Sequence, residues 1–353
     1  LLSTRQAIVA LIGYRIHSER SIYGILHLLN GKKSAQTIQD GSFFGILTYF
    51  GLFPKMARAD IEEDVRLLIE KGIVSWIGED RIKTTSTGID QLKEFEEKNL
   101  YLSDLRGWEY HSIYDQVWLR LSLFIQVIVN LAQKNTRFYP ITQQRNIQHW
   151  VKQHLPSGQV NILNTHKQLY TELEQFLSTC QDLQASIFVD QLSGIKKVGL
   201  TKEQIATRYN LDLEAVHVIH VATLHRLIYF VEQNEEFSCL PSFLKGLKQS
   251  ISLTESARET LFLLEQGYSI EEISHKRKLK RNTIEDHIVE IAIQHPTFSI
   301  RPFVTEVLEE EIIHISNTLQ TSRLRTLKEH MSDNINYFMI RLVLARKKGQ
   351  DGA

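Results

Sequence analysis

SIEEISHKRKLKRNTIEDHIVEIA, residues 269–292, reads as two short helices joined by a strongly basic turn. Ile270, Ile273, Leu279, Ile284, Ile288 and Ile291 fall at the spacing of one buried helical face on each side of that turn. Ser269 with Glu272 three residues into the helix has the form of a capping box. Asn282 with Glu285 repeats the form, which predicts that the second helix starts after Asn282. The preceding LTESARETLFLLEQG, from Leu253 to Gly267, supplies a third helix for a shared core. Apolar spacing, caps and turn all predict a helix-turn-helix.

Between the two helices, Lys276-Arg277-Lys278-Leu279-Lys280-Arg281 places five cations in six positions. A cationic turn beside a helix N-terminus, with its free N–H groups and partial positive charge, suits phosphate oxygens. The expected DNA contacts are Lys276, Arg277, Lys278, Lys280, Arg281, Asn282, Thr283 and His287. Glu285, Asp286 and Glu290 are expected to be exposed on the second helix, where they would oppose entry into a phosphate-lined groove. Binding is therefore expected to be structure-selective and directed at the backbone. The plainer readings of the same run are a solvated turn and a helix-turn-helix used for protein docking.

The rest of the chain sets limits on any such site. Its 353 residues are 42% apolar and 23% charged, with 6 prolines, which points to helices in two or three domains. The formal charge is zero, and residues 1–100 hold 13 basic and 13 acidic groups, so a nucleic-acid site must be a local patch. Cys180 and Cys239 lie far apart without a CxxC partner, as in a reducing compartment. AIVALIGY near the start lacks a cleavage site and runs into a charged helical pattern, so it is not read as a signal peptide. IYDQVWLRLSLFIQVIVNLA, from Ile113, carries Asp115, Arg120, Gln126 and Asn130, and is predicted to be a buried helix rather than a membrane span. The expected location is cytoplasmic.

RADIEEDVRLLIEKG, from Arg58, predicts a helix with Ile61, Val65, Leu68 and Ile69 inward. IVSWIGEDRIKTT then predicts a small hairpin around Gly78-Glu79-Asp80. The expected fold is mostly α: a winged helix with a small β hairpin over 1–100, a helical middle over 101–250 and a helix-turn-helix domain over 251–353. Inside the middle, LTKEQIATRYNLDLEAVHVIHVATLHRLI, from Leu200, has a second helix-turn-helix cadence, with Thr201 and Gln204 as a capping box.

Two resemblances follow from these motifs. Leu253-Thr254, Gly267, Glu272-Ile273, Thr283-Ile284 and His287 are similar to the LuxR/GerE-type helix-turn-helix, with Glu285 and Asp286 in place of the usual base readers. Nearly the whole chain resembles the YpbB family of Bacillus-type bacteria, typically encoded beside a RecQ-type DNA helicase. The matching C-terminal features are the Thr254–Gly267 helix, the Ser269–Ile291 pair and the tail SRLRTLKEHMSDNINYFMIRLVLA. YGILHLLNGKKSAQTI and YFGLFPKMARADIEEDVRLLIEKGIVSW are similar to the winged-helix domain of such helicases. The resemblance implies a DNA-binding accessory protein working with a RecQ-type helicase in DNA repair or recombination. A LuxR-like transcriptional regulator and a protein-interaction adaptor without DNA binding are the alternatives.

No reaction chemistry is legible. NGKKS at Asn30 has Leu26 where a phosphate-binding loop needs glycine, and HExxH, GxSxG and GxGxxG motifs are absent. The chain is thus read as no enzyme, with no cofactor, no metal and no small-molecule substrate. His217, His220 and His225 share a helix without clear further ligands, so packing is expected. Trp76 in the hairpin strand could wedge into a duplex end, but strand alternation puts it on the same face as Val74, so a core role is expected. In the tail, Ile335, Phe338, Leu342 and Ala345 form an apolar stripe, with Arg341, Arg346 and Lys347 elsewhere on the helix. The stripe either completes its own core or offers Phe338, Leu342 and Arg341 to a helicase groove.

Overall fold

A computed structural model describes residues 2–247, 253–295, 297–319, 321 and 324–350, with backbone alone for 347–350. Ser322, Arg323 and the Lys347 side chain of the expected tail lie outside the described residues. The described chain is mostly helical, with eighteen α-helices and one two-stranded hairpin. The first helices are α1 (Thr4–Arg15), α2 (Ile22–Leu29), α3 (Ala35–Phe43), α4 (Arg58–Glu70) and α5 (Ser86–Lys98). Strands β1 (Val74–Trp76) and β2 (Ile82–Thr84) lie between α4 and α5. Next come α6 (Gly107–Tyr110), α7 (Tyr114–Ala132), α8 (Arg145–His154), α9 (Gln159–Leu177) and α10 (Asp182–Asp190). They are followed by α11 (Lys202–Tyr209), α12 (Leu213–Gln233), α13 (Glu255–Glu265) and α14 (Ile270–Arg277). The last four are α15 (Arg281–Gln294), α16 (Glu306–Leu319), α17 (Leu324–Glu329) and α18 (Tyr337–Gln350).

These elements form two compact units, each gathered from separated stretches. The first holds Leu1–Leu11, Ala59–Ser75 and Thr84–Gln249, and the second holds Ile12–Arg58, Trp76–Lys83 and Ser250–Ala353. Helix α1 and the hairpin each contribute residues to both.

In the first unit, the apolar stretch from Ile113 becomes α7, whose Val117, Leu121 and Ile128 pack with Leu169 and Phe176 of α9 and Leu224 and Ile228 of α12. No described helix is long and apolar enough to cross a membrane. Helix α12 is buried on nearly every side, and Asp212 fixes its start. One Asp212 oxygen accepts from the Ala215 N–H at 2.6 Å, and the other accepts from the Thr4 N–H and hydroxyl, both at 3.0 Å. Arg5 grips the buried Asp64 of α4 with Nε at 2.6 Å and Nη2 at 3.2 Å. Gly88, at the start of α5, sits against the Ile73 carbonyl, where a Cβ would lie 2.2 Å from that oxygen.

In the second unit, α15 is the centre, with α3, α13, α14 and α18 packed around it. Ile273, Ile284, Ile288, Leu342 and Val343 fill the core between them. The hairpin turn has positive φ at Gly78 and Asp80, at 70° and 55°. It is tied down by the Ile22 N–H, which donates to the Asp80 carbonyl at 2.7 Å, and by the Ser18 hydroxyl, which donates to Ile82 at 2.8 Å. Trp76 corrects the expectation of a core role, for it is 50% exposed whereas Val74 is 2% exposed. Strand alternation predicts burial only where a covering layer runs the length of the strand, and here that layer stops short of Trp76.

Candidate nucleic-acid interface

The turn is built by local hydrogen bonds. Ser269 and Glu272 form the expected capping box, the Ser269 N–H donating to the Glu272 carboxylate at 2.8 Å. These bonds hold the Glu272 carboxyl below its usual pKa. Helix α14 lasts 8 residues and stops at Lys278, which adopts the left-handed conformation at φ 52° and ψ 38°. The Leu279 N–H then donates to Ser274 at 3.0 Å, and the Ser274 hydroxyl donates back to the Leu279 carbonyl at 2.6 Å. Helix α15 begins at Arg281 with Lys280 as its N-cap. Asn282 is therefore inside the helix rather than capping it, because the tight turn at Lys278 brings the chain into helical register two residues sooner.

The same construction occurs in the first unit. Thr201 and Gln204 make a capping box, α11 also lasts 8 residues, and Asn210 takes the left-handed position at φ 53° and ψ 49°. The Leu211 N–H donates to Ala206 at 2.9 Å, matching Leu279 and Ser274. In both copies the second helix is the buried one, α12 in the first unit and α15 in the second.

The five cations of the turn divide sharply. Lys276, Lys278 and Lys280 are exposed, and none has a carboxylate partner among the described residues. Lys276 lies over the Tyr268 ring at 4.6 Å. Arg281 is half-exposed and paired with Glu271 and with Glu285, the latter at 3.0 Å, which raises its pKa. Arg277 turns inward, its side chain 8% exposed. It donates to the Ser256 carbonyl at 2.7 Å, to the Thr260 hydroxyl and to Glu259 at 2.8 Å. His287 is buried beside it, with Nδ1 2.8 Å from the Thr260 hydroxyl. Burial, then the Arg277 charge, holds the His287 imidazole below its ordinary pKa. Arg277 and His287 are thus engaged within the bundle, Thr283 is half-buried, and Asn282 is exposed.

The acids of α15 also differ from expectation. Glu290 is 1% exposed and accepts from the Thr254 N–H at 2.5 Å and hydroxyl at 3.0 Å, which fastens the start of α13. Glu285 is partly buried and Asp286 partly exposed, and both pair with Arg341 of α18. Helix α15 packs against α3 and α18, where Glu285 and Asp286 meet Arg341, while its start at Arg281 and Asn282 stays exposed. Neither the three acids nor Arg277 could be assigned from helical spacing alone, because their partners lie on helices remote in sequence.

The tail stripe belongs to the core. Ile335, Phe338, Leu342 and Ala345 are all at most 5% exposed, and Ile340, Val343 and Leu344 are buried with them. Phe338 and Leu342 thereby complete their own unit rather than a free docking face, and Arg341 is held by Asp286 and by Gln39 at 3.3 Å. Among the described residues, no group of three or more His, Cys, Asp or Glu side chains is arranged to hold a metal. His225 is 1% exposed between Tyr110 and Tyr114, and its Nδ1 accepts from the Arg106 N–H at 3.0 Å.

The fold and the turn define a protein with a C-terminal helix-turn-helix, and residues 256–344 match the family described as a helix-turn-helix domain. The chain is also 31% identical to protein YpbB of Bacillus subtilis (strain 168) over 337 residues, covering 95% of each chain. It belongs to the YpbB family. No solved structure matches it.

Proposed function

We propose that this is a non-enzymatic DNA-binding accessory protein that works with a RecQ-type helicase in DNA repair or recombination. The observation that carries the DNA reading is the trio Lys276, Lys278 and Lys280, exposed and without carboxylate partners beside the start of α15. Such a cluster attracts phosphates and gives no base readout. The packing of α15 against α3 and α18 supports backbone contact over groove reading, and so disfavours a LuxR-like regulator. The helicase partnership rests on the family resemblance of the terminal segments. The burial of α15 equally favours a docking adaptor, and one measurement separates the two.

That measurement is salt-titrated binding of the full chain to single-stranded, duplex and forked DNA, with Lys276, Lys278 and Lys280 all changed to Ala. Loss of three phosphate contacts should flatten the salt slope by about 2.7, at about 0.9 per contact on duplex. An unchanged slope and affinity would remove the turn as the binding site. Absence of any DNA binding by the wild type would leave the adaptor. Failure to capture a RecQ-type helicase in a pull-down would refute the partnership alone.

A further inference from the structure

The second unit contains a cleft of about 1470 Å³ that Lys276, Lys278 and Lys280 do not line. It is larger than the ~300–1,000 Å³ usual for small-molecule sites. Five stretches of chain line it: the α1–α2 connection, α3, the hairpin turn, the start of α15, and the tail around α17 and α18. Six cations face it, Arg20, Arg81, Lys83, Arg281, Arg325 and Arg341, against the three carboxylates of Glu19, Glu285 and Asp286. Four of the cations are already paired, Arg20 with Asp40, Arg281 with Glu285, Arg325 with Glu329 and Arg341 with Asp286. Arg81 and Lys83, on the hairpin, are exposed and have no carboxylate partner among the described residues.

A second observation points to what the cleft receives. Gln39, 6% exposed, lines it, and its amide Nε2 is a buried donor without a partner. Its Oε1 accepts from Arg341, whose own Nε is likewise buried and unpartnered. A buried donor left unsatisfied is costly, so two of them beside one cleft favour a ligand rich in acceptors. Tyr337, 48% exposed, stands at the same cleft and offers a ring face. Unpaired cations along one side, orphan donors in the wall and an open aromatic face are the elements of a single-strand site, where the backbone follows the charge and bases stack.

We propose that this cleft is a channel for single-stranded DNA. Arg81 and Lys83 take backbone phosphates, the Gln39 and Arg341 donors take an acceptor of the strand, and a base stacks on Tyr337. The proposal rests on the reading of the protein as DNA-binding, and it adds a second site with a different strand preference from the turn.

The test uses the full chain, fluorescent oligo-dT and a blunt duplex of equal length, followed by anisotropy. Two variants probe the cleft, Tyr337→Ala and the pair Arg81→Ala with Lys83→Ala, all at exposed positions where folding should survive. Tyr337→Ala should weaken oligo-dT binding roughly 5- to 100-fold, the range for loss of one stacking platform. The paired variant should weaken oligo-dT binding roughly 10-fold at low salt, and both should leave duplex binding within about 2-fold. Oligo-dT binding unchanged in both variants overturns the channel, as does a wild type that binds duplex but not oligo-dT. In that last case the turn reading stands. Oligo-dT binding lost in the cleft variants and kept in the triple lysine variant supports the channel and separates it from the turn. Binding to neither probe overturns both readings. Competition by free dTMP as effective as by oligo-dT would mark a mononucleotide pocket and refute a strand channel.

Discussion

Arg277→Ala should cost stability and leave DNA binding alone, although Arg277 sits in the middle of the basic run. Its Nη1 donates both to the Ser256 carbonyl and to the Thr260 hydroxyl, and Thr260 is fully buried. Hydrogen bonds from a charged donor contribute ~1.5–3 kcal/mol each. Glu259 is 64% exposed, so its pairing adds little. Because the two inner bonds share one nitrogen, the lower end applies to each, giving about 3 kcal/mol. That is a large part of the ~5–15 kcal/mol that stabilises a typical domain. Hydrogen exchange of the α13, α14 and α15 amides is the direct assay, and opening should become roughly 100-fold easier. At a temperature where the variant is still folded, its affinity for duplex DNA should stay within about 2-fold of wild type. Unchanged exchange protection together with weakened, less salt-dependent DNA binding would refute the inward placement and return Arg277 to the phosphate-binding set.

Two further outcomes concern the first unit. Burial, then the neighbouring His111 and Arg106 charges, pushes the His225 pKa down to about 3, so the unfolded chain takes up its proton first. Stability should be fully present above the unfolded value near 6.5 and fall as pH drops, by ~2 kcal/mol between pH 6.5 and 5. His225→Asn, which keeps an acceptor for Arg106, should flatten that dependence in urea unfolding followed by tryptophan fluorescence. Equal slopes would mean that the fold does not depress the His225 pKa. Gly88→Ala should destabilise by several kcal/mol in thermal melts, because the new Cβ meets the Ile73 carbonyl at 2.2 Å. Helix propensity alone predicts a gain of about 1 kcal/mol there, so the sign of the change decides between the two.

The helix-turn-helix was legible because its determinants are local. The Ser269–Glu272 box, the inward Ile273, Ile284 and Ile288, and the Thr201–Gln204 box all lie within a few residues of one another. What sequence could not assign was direction. Lys276, Arg277 and Lys278 are indistinguishable as neighbouring cations until α13 supplies acceptors for one of them. Glu290 reads as an exposed helical acid until Thr254 is found against it. Trp76 reads as core until the hairpin is seen to lack a cover at that point. The cleft was illegible for the same reason, since Gln39, Arg81 and Arg341 belong to one wall only after three remote segments have packed. The interleaved membership of the two units, with residues 76–83 grouped apart from their chain neighbours, has no signature in periodicity.

The two copies of the turn differ in the residue at their left-handed position. Their left-handed positions have nearly equal torsions, yet one holds Asn210 and the other Lys278. Asparagine tolerates that backbone conformation well, whereas an ordinary side chain there loses ~1 kcal/mol or more. Lys278 is therefore a strained residue at a site whose counterpart shows that a relaxed one fits. The second unit carries that strain as a permanent internal load, and what it has in return at that position is an exposed positive charge.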